Sequence, residues 1–289
     1  ELKNTFFPKE KSLVPEDWVE LSGYLLEKLY GDLTRAEEYL RSQIEDLRSM
    51  LEISVRLAPE NPASHYNYAK YFLENGNFEN SKQELKHSID CFEKLQKLSK
   101  KDIYRQIDAC RLLGERYAST REYLKAQETY TKGITLFQNE NQKNGFSGDK
   151  NTGMLYADMG NLEYFISGDM DAALKNYEMA VKNKNDVPSV NYKIGVINYE
   201  KNEYDKALVS FLKAAETEDG DENLLMALGN VLSLKGDNFA AEGYYSHLLG
   251  LLDKEKGRRV MLFPHTKNED NILLEQYVKV NNNLGVTLY

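Results

Sequence analysis

Basic charge is what this chain is short of. Its 289 residues carry 37 Lys and Arg against 46 Asp and Glu, a net charge of −9 at neutral pH. A phosphate backbone calls for a basic surface, so nucleic acid is excluded as the main partner. The one basic cluster, Lys94, Lys97, Lys100, Lys101 and Arg105, is interleaved with Leu95, Leu98 and Ile103 and reads as a solvated helix face. Cysteine is nearly missing: Cys91 and Cys110 make no disulfide framework and read as buried free thiols. The four histidines, His65, His87, His247 and His265, form no H-x3-H or His/Cys pair at ligand spacing, so a structural metal is not expected. No apolar run approaches the roughly 18 residues of a membrane span, so this span itself should make no membrane contact. Proline is scarce at 6 and tyrosine abundant at 20, which suits packed helices with amphipathic rims.

Catalytic patterns are missing as well. Gly148-x4-Gly153 has the glycine spacing of a phosphate loop, but Met154-Leu155 stands where lysine and Ser/Thr are required, and no strand precedes it. The acidic stretch from Glu216 to Glu222 falls in a turn and at a helix start, where capping and solvation account for it better than acid–base chemistry. No nucleophile stands beside a base. The chain reads as a non-enzyme that needs no cofactor.

What is present is repetition. Residues 188–220 hold two short amphipathic helices joined by a polar turn at Asn202-Glu203-Tyr204. Gly195 sits in the first helix, and Ala207-x3-Phe211-x2-Ala214 forms the second. Glycine inside a helix costs roughly 1 kcal/mol relative to alanine, so Gly195 marks a place where a neighbouring helix comes very close. A larger side chain at Gly195 or Ala207 is expected to overpack that contact. A shift of thirty-four residues carries Gly195 to Gly229, Ala207 to Ala241 and Phe211 to Tyr245, and the reverse shift carries Ala207 to Ala173 and Phe211 to Tyr177. A fixed period of this kind marks a repeat architecture. The pattern resembles the tetratricopeptide repeat, although the tryptophan that usually opens that pattern is replaced by Asn191, Tyr156 and Leu225. The resemblance implies an all-α fold, a right-handed α-α superhelix of helical hairpins.

Six hairpins are expected between residues 15 and 252: 15–57, 62–99, 103–140, 153–184, 188–217 and 222–252. Residues 1–14 read as an arm. Pro15 opens the first helix, with Trp18, Leu21, Leu25 and Leu29 on one face, and Ala58-Pro59 stops the second. Between Ala36, Ser81 and Ala126 the spacing is 45, not 34. Eleven extra residues are close to three helical turns, so the first half should have lengthened helices that keep their buried face in register. The spacing of 47 from Ala126 to Ala173 has another origin: residues 139–153 are rich in Gly, Asn and Ser and read mostly as a loop. One further residue sits inside the first helix of the fourth hairpin. Residues 253–289 read as an irregular insert followed by the first helix of a further repeat, with Leu284-Gly285 and Leu288 matching Leu228-Gly229 and Leu232. That apolar end is expected to fold back on the array or to self-associate, and the natural chain to continue with more repeats. The chain starts Glu-Leu-Lys rather than with methionine, so an N-terminal piece is expected to have been removed; whether the compartment is cytoplasmic or periplasmic is left open.

The resemblance also implies a function. In tetratricopeptide-repeat proteins the first helices line a concave groove that holds a protein or peptide partner. Carried over by alignment, the residues facing it are Tyr66 and Lys70; Arg111 and Glu115; Asn161, Tyr164 and Phe165; Tyr192 and Tyr199; and Met226 and Asn230. The lysine–asparagine clamp that grips chaperone C-termini in this family is missing, because Ala157 and Met226 precede Asn161 and Asn230. The resemblance therefore implies an interaction scaffold; the alternative is a regulatory or substrate-recruiting domain of a larger enzyme. Tyrosine- and asparagine-rich units behind long N-terminal helices are also similar to periplasmic proteins of the spirochaete flagellar collar.

Overall fold

The computed structural model describes residues 15–31, 37–216, 221–262, 279–283 and 285. The arm assigned to residues 1–14, the side chain of Leu29, residues 263–278 and residues Leu284 and Leu288 lie outside what is described. Among the described residues all regular structure is helical. The elements are α1 (Pro15–Gly31), α2 (Glu37–Leu57), α3 (Pro62–Glu74), α4 (Phe78–Lys94), α5 (Lys100–Ser119), α6 (Tyr123–Asn144) and α7 (Lys150–Leu162). A π-helical turn (Glu163–Ser167) leads on to α8 (Met170–Lys182), α9 (Pro188–Glu200), α10 (Tyr204–Ala215), α11 (Glu222–Leu234) and α12 (Asn238–Leu262). Residues 279–283 are helical again.

The chain divides into two compact units, residues 1–167 and 168–289. In the first, α1/α2, α3/α4 and α5/α6 pair as hairpins, and the first helices α1, α3, α5 and α7 neighbour one another in series. In the second, α9/α10 and α11/α12 pair, α8 packs on α9, and α9 neighbours α11.

Local chemistry sets the helix ends. Asn61 accepts from Ala63 N at 2.9 Å with Pro62 in the first turn, Ser99 and Asp102 form a reciprocal capping box, and Asp149 and Thr152 form another. Asp221, in the acidic stretch, accepts from Leu224 N at 2.8 Å and caps α11. Each described turn from a first to a second helix, from α3/α4 onward, carries one residue in the left-handed region: Gly76, Arg121, Gly168, Asn202 and Gly236. At Gly76, Arg121, Asn202 and Gly236 the following residue bonds back across the helix end, as from Asn77 N to Phe72 O at 2.8 Å and from Glu203 N to Asn198 O at 2.8 Å.

Three first helices have a ring lying on a glycine. A Cβ placed on Gly114 would sit 2.3 Å from Tyr130, on Gly195 2.5 Å from Phe211, and on Gly229 2.4 Å from Tyr245. All are closer than any side chain tolerates. In α3/α4 the same offset holds Ala69 and Leu85, both fully buried, so a larger small residue meets a smaller large one. Cys91 and Cys110 are buried and unpaired, and burial pushes the Cys110 thiol up to about 12.

Among the helices of residues 37–144, α2, α5 and α6 are lengthened, at 21, 20 and 22 residues, whereas α3 has 13, the same as α8, α9 and α11. The irregular insert expected from residue 253 does not begin there, because α12 is 25 residues long and continues to Leu262. A second expectation also fails. Most of residues 139–153 is helix, because α6 runs on to Asn144 and α7 begins at Lys150. Gly145 ends α6 in the left-handed region, and Asn141 Nδ2 donates to Phe146 O at 2.7 Å. Buried Phe146 packs between Phe137 and Tyr104, which anchors the short link. The single extra residue in the fourth first helix is absorbed as the π-turn Glu163–Ser167.

A histidine ties the turn between α2 and α3 to α4. His65 Nε2 lies 2.8 Å from Pro59 O and its Nδ1 lies 2.6 Å from Glu84 Oε2. Two acceptors at two ring nitrogens require the doubly protonated ring. Burial opposes that charge, but Glu84, the Pro59 carbonyl and Glu60 outweigh it and hold the pKa above the ordinary histidine value. His87 stacks on the ring at 5.1 Å between centroids. A raised folded pKa stabilises fully below the unfolded value of about 6.5, and the contribution is lost as pH rises through the folded value. The melting temperature of the wild-type protein relative to His65→Phe should therefore fall as pH is raised from below to above the ordinary histidine range. A difference that does not change with pH would contradict the charged ring.

Candidate functional site: the first-helix faces

In the first unit, the first helices carry their polar residues toward one another. Tyr66 of α3 is buried, and its hydroxyl donates to Asp108 Oδ2 of α5 at 2.6 Å. Asp108 Oδ1 accepts from Arg111 Nε at 3.0 Å, with Arg111 Nη2 2.9 Å away. Arg111 Nη1 lies 3.5 Å from Glu115 and 4.0 Å from Asp158 of α7. Three residues picked from sequence, Tyr66, Arg111 and Glu115, thus join one network across α3, α5 and α7. Burial, and then Asp108, raise the Tyr66 pKa well above its usual value, so the phenol keeps the proton it donates. Burial works against the Arg111 charge, and Asp108 and Asp158 more than restore it. Asp108 and Asp158 were missed in the sequence. The Asp108-x2-Arg111-x3-Glu115 spacing was a usable signal for the first, but nothing in the sequence pointed to the second.

Beside this network lies a hollow of about 320 Å³ between α1, α3, α5 and the start of α7. Lys70 lines it and lies 5.6 Å from the centroid of the Tyr66 ring. Glu20 of α1 reaches across to α5, 2.6 Å from Lys101 Nζ and 3.6 Å from Arg105 Nη2. The hydrogen bond from Lys101 lowers the Glu20 pKa, against partial burial.

The other candidates stand apart from this cluster. Asn161 is half-buried near the end of α7. Tyr164 and Phe165 are in the π-turn with rings edge to face at 4.9 Å, and Phe165 is 66% exposed. In the second unit, Tyr192 packs on Phe211 at 5.6 Å and Tyr199 on Tyr204 at 5.7 Å, so both are half-buried at the margin of the core. Met226 and Asn230 are half-buried and partly covered by the chain itself. Asn283 Nδ2 lies 2.8 Å from Asn230 Oδ1 and 3.6 Å from Met226 Sδ, and Val280 is fully buried in the core around α11. Tyr245 also donates to Asn230 Oδ1 at 2.7 Å.

Among the described residues no group of three or more His, Cys, Asp or Glu is placed to hold a metal ion, and no helix is long and apolar enough to cross a membrane.

Residues 162–223 match the family described as Tetratricopeptide repeat. No curated protein matches the chain. Among solved structures, PilF of Pseudomonas aeruginosa superposes with a TM-score of 0.61 at 12% identity, covering 93% of this chain and 98% of that one. YrrB, described as a TPR protein with an unusual peptide-binding site, gives 0.53 at 14% identity over 70% of this chain and 91% of its own. The C-terminal part of a TPR repeat-containing protein from Cytophaga hutchinsonii gives 0.53 at 14% identity over 92% and 93%. At these identities the likeness is one of fold.

The Asp108–Arg111 pair gives the network a direct test. Asp108→Ala leaves a buried guanidinium without its nearest partner and should cost about 3 kcal/mol in urea denaturation. Asp108→Asn, which keeps an acceptor, should cost less. Equal and negligible losses would contradict the network.

Proposed function

We propose that this chain, of which residues 162–223 match the tetratricopeptide-repeat family, is a non-catalytic scaffold that binds a partner protein or peptide along its first-helix faces. Such repeats generally serve protein–protein interaction. The observation that carries the reading is the set of tyrosines on those faces, Tyr192 and Tyr199 above all, with one side of each ring on the core and the other toward solvent. Rings with polar tips bring large contact area at low rotamer entropy, which is what partner-binding surfaces use. On the first unit, taken by itself, Lys70, Glu115, Asn161, Tyr164 and Phe165 are the corresponding candidates, while Tyr66 and Arg111, expected on the same face, are buried in the Asp108 network and can only support it from beneath. Met226 and Asn230 belong to it where the 279–283 segment leaves them. The narrower placement in a flagellar collar rests on the compositional resemblance alone.

The test begins with affinity capture of a native partner on the immobilised chain. A Tyr192→Ala/Tyr199→Ala double variant should then bind that partner at least about tenfold more weakly, at unchanged helicity. The half-buried rings also pack on the core, so some loss of melting temperature is expected. The Tyr192→Phe/Tyr199→Phe pair keeps the packing and isolates the hydroxyls. A partner that binds the alanine pair with wild-type affinity overturns this placement of the surface.

A further inference from the structure

The hollow of the first unit departs from the rest of the molecule in charge. The chain as a whole carries −9. Lining this hollow are three cationic side chains, Lys70, Lys101 and Arg105, and two carboxylates, Glu20 and Glu27. Lys101 and Arg105 share Glu20. Arg105 also lies 3.8 Å from Asp102, which is engaged in capping α5 through Ser99. Lys70 has no carboxylate partner among the described residues, and its ammonium lies over the face of Tyr66. Glu27 is exposed at the rim and makes no ion pair among the described residues.

Glu20 belongs to α1 and its two cations to α5, which are not successive first helices; α3, with Tyr66 and Lys70, neighbours both. The bridge therefore forms one wall of the hollow. It is also weakly held. The Glu20 and Lys101 side chains are 60% and 58% exposed, and exposed pairs of long side chains contribute little. Arg105 differs, because its side chain is only 14% exposed. A guanidinium so desolvated binds whichever carboxylate reaches it more strongly than an exposed one does.

We propose that the hollow is a site for an acidic side chain of a partner segment, and that Glu20 is the internal stand-in for it. This deepens the reading of the chain as a peptide-binding scaffold and rests on it. The incoming carboxylate takes the place of Glu20 on Arg105 and Lys101, while Lys70 supplies a third, unspent charge. The phenol rings of Tyr24 and Tyr104, which also line the hollow, flank the segment. The preferred partner is thus an acidic peptide, bound by a protein that is itself acidic overall, so attraction comes from the local cations and not from long-range steering.

The experiment uses the full chain and three fluorescein-labelled peptides alternating leucine with glutamate, glutamine or lysine, with binding read by fluorescence anisotropy. The glutamate peptide should bind at least about tenfold more tightly than the glutamine peptide, and more weakly as salt is raised. Glu20→Gln should tighten the glutamate peptide, because it frees two cations. Lys70→Met, which keeps the aliphatic stem, should weaken it. Circular dichroism confirms that each variant is folded, and Lys70→Gln replaces Lys70→Met if that variant is not. Equal binding of the three peptides, no detectable binding of the glutamate peptide, or a Glu20→Gln variant that binds it no better overturns the proposal. If the glutamine or lysine peptide binds instead and the Tyr192/Tyr199 alanine pair abolishes it, the scaffold reading stands and only the acidic site falls.

Discussion

A ring packed directly against a glycine is the contact from which the rest of this structure follows. Where Phe211 covers Gly195 and Tyr245 covers Gly229, the two helices of a hairpin approach closer than any other residue at those positions permits. The glycine lowers helix propensity, and the buried ring more than offsets it, since fully burying a large apolar side chain is worth about 1.5–3 kcal/mol. Once the ring fixes the spacing inside a hairpin, the turn must close tightly, which the left-handed residue of each turn allows. With the second helix pressed on one side of the first, another side is left to carry polar and aromatic residues.

The two units use that side differently. In the first, lengthened helices give room for a buried network, Tyr66–Asp108–Arg111, and for a hollow bridged by Glu20. In the second, α8 to α11 are short and only α12 is long, and the repeat is regular down to its ion pairs: Lys201 meets Asp171 and Lys235 meets Asp205, one period apart. Val280 completes the apolar core there, and Asn283 uses up acceptor capacity on Asn230.

Much of this was legible in the sequence, and the failures have physical causes. Gly195, Phe211 and Ala207 could be read because a repeat displays the same packing several times, so each copy corroborates the others. The longer helices could be read because eleven residues close to a whole number of turns. Residues 139–153 were misread because Asn, Gly and Ser weigh against helix locally, whereas the packing of Phe146 against Phe137 and Tyr104 is a tertiary effect. The extra residue before Gly168 was visible, but its outcome as a π-turn was not, since a loop or a kink would count the same. Among the site residues, Asp158 escaped because its partner Arg111 lies on another helix at no characteristic spacing. The return of the 279–283 segment was one of the two outcomes its apolar character allowed, but its meeting with Met226 and Asn230 escaped, because a non-periodic stretch separates it from α12.

The dependence of the hairpin on ring and glycine is tested most directly by a double-mutant cycle of Gly195→Ala and Phe211→Leu, read by urea denaturation. Alanine is the better helix former by about 0.8–1 kcal/mol, so on propensity alone Gly195→Ala would stabilise the protein. The account predicts the opposite sign in the wild-type background, because the new methyl meets the Phe211 ring, and a reversal toward stabilisation once Phe211→Leu has made room. If Gly195→Ala stabilises the protein with Phe211 in place, or if the two changes are simply additive, the close approach is not what sets the hairpin and the account is wrong.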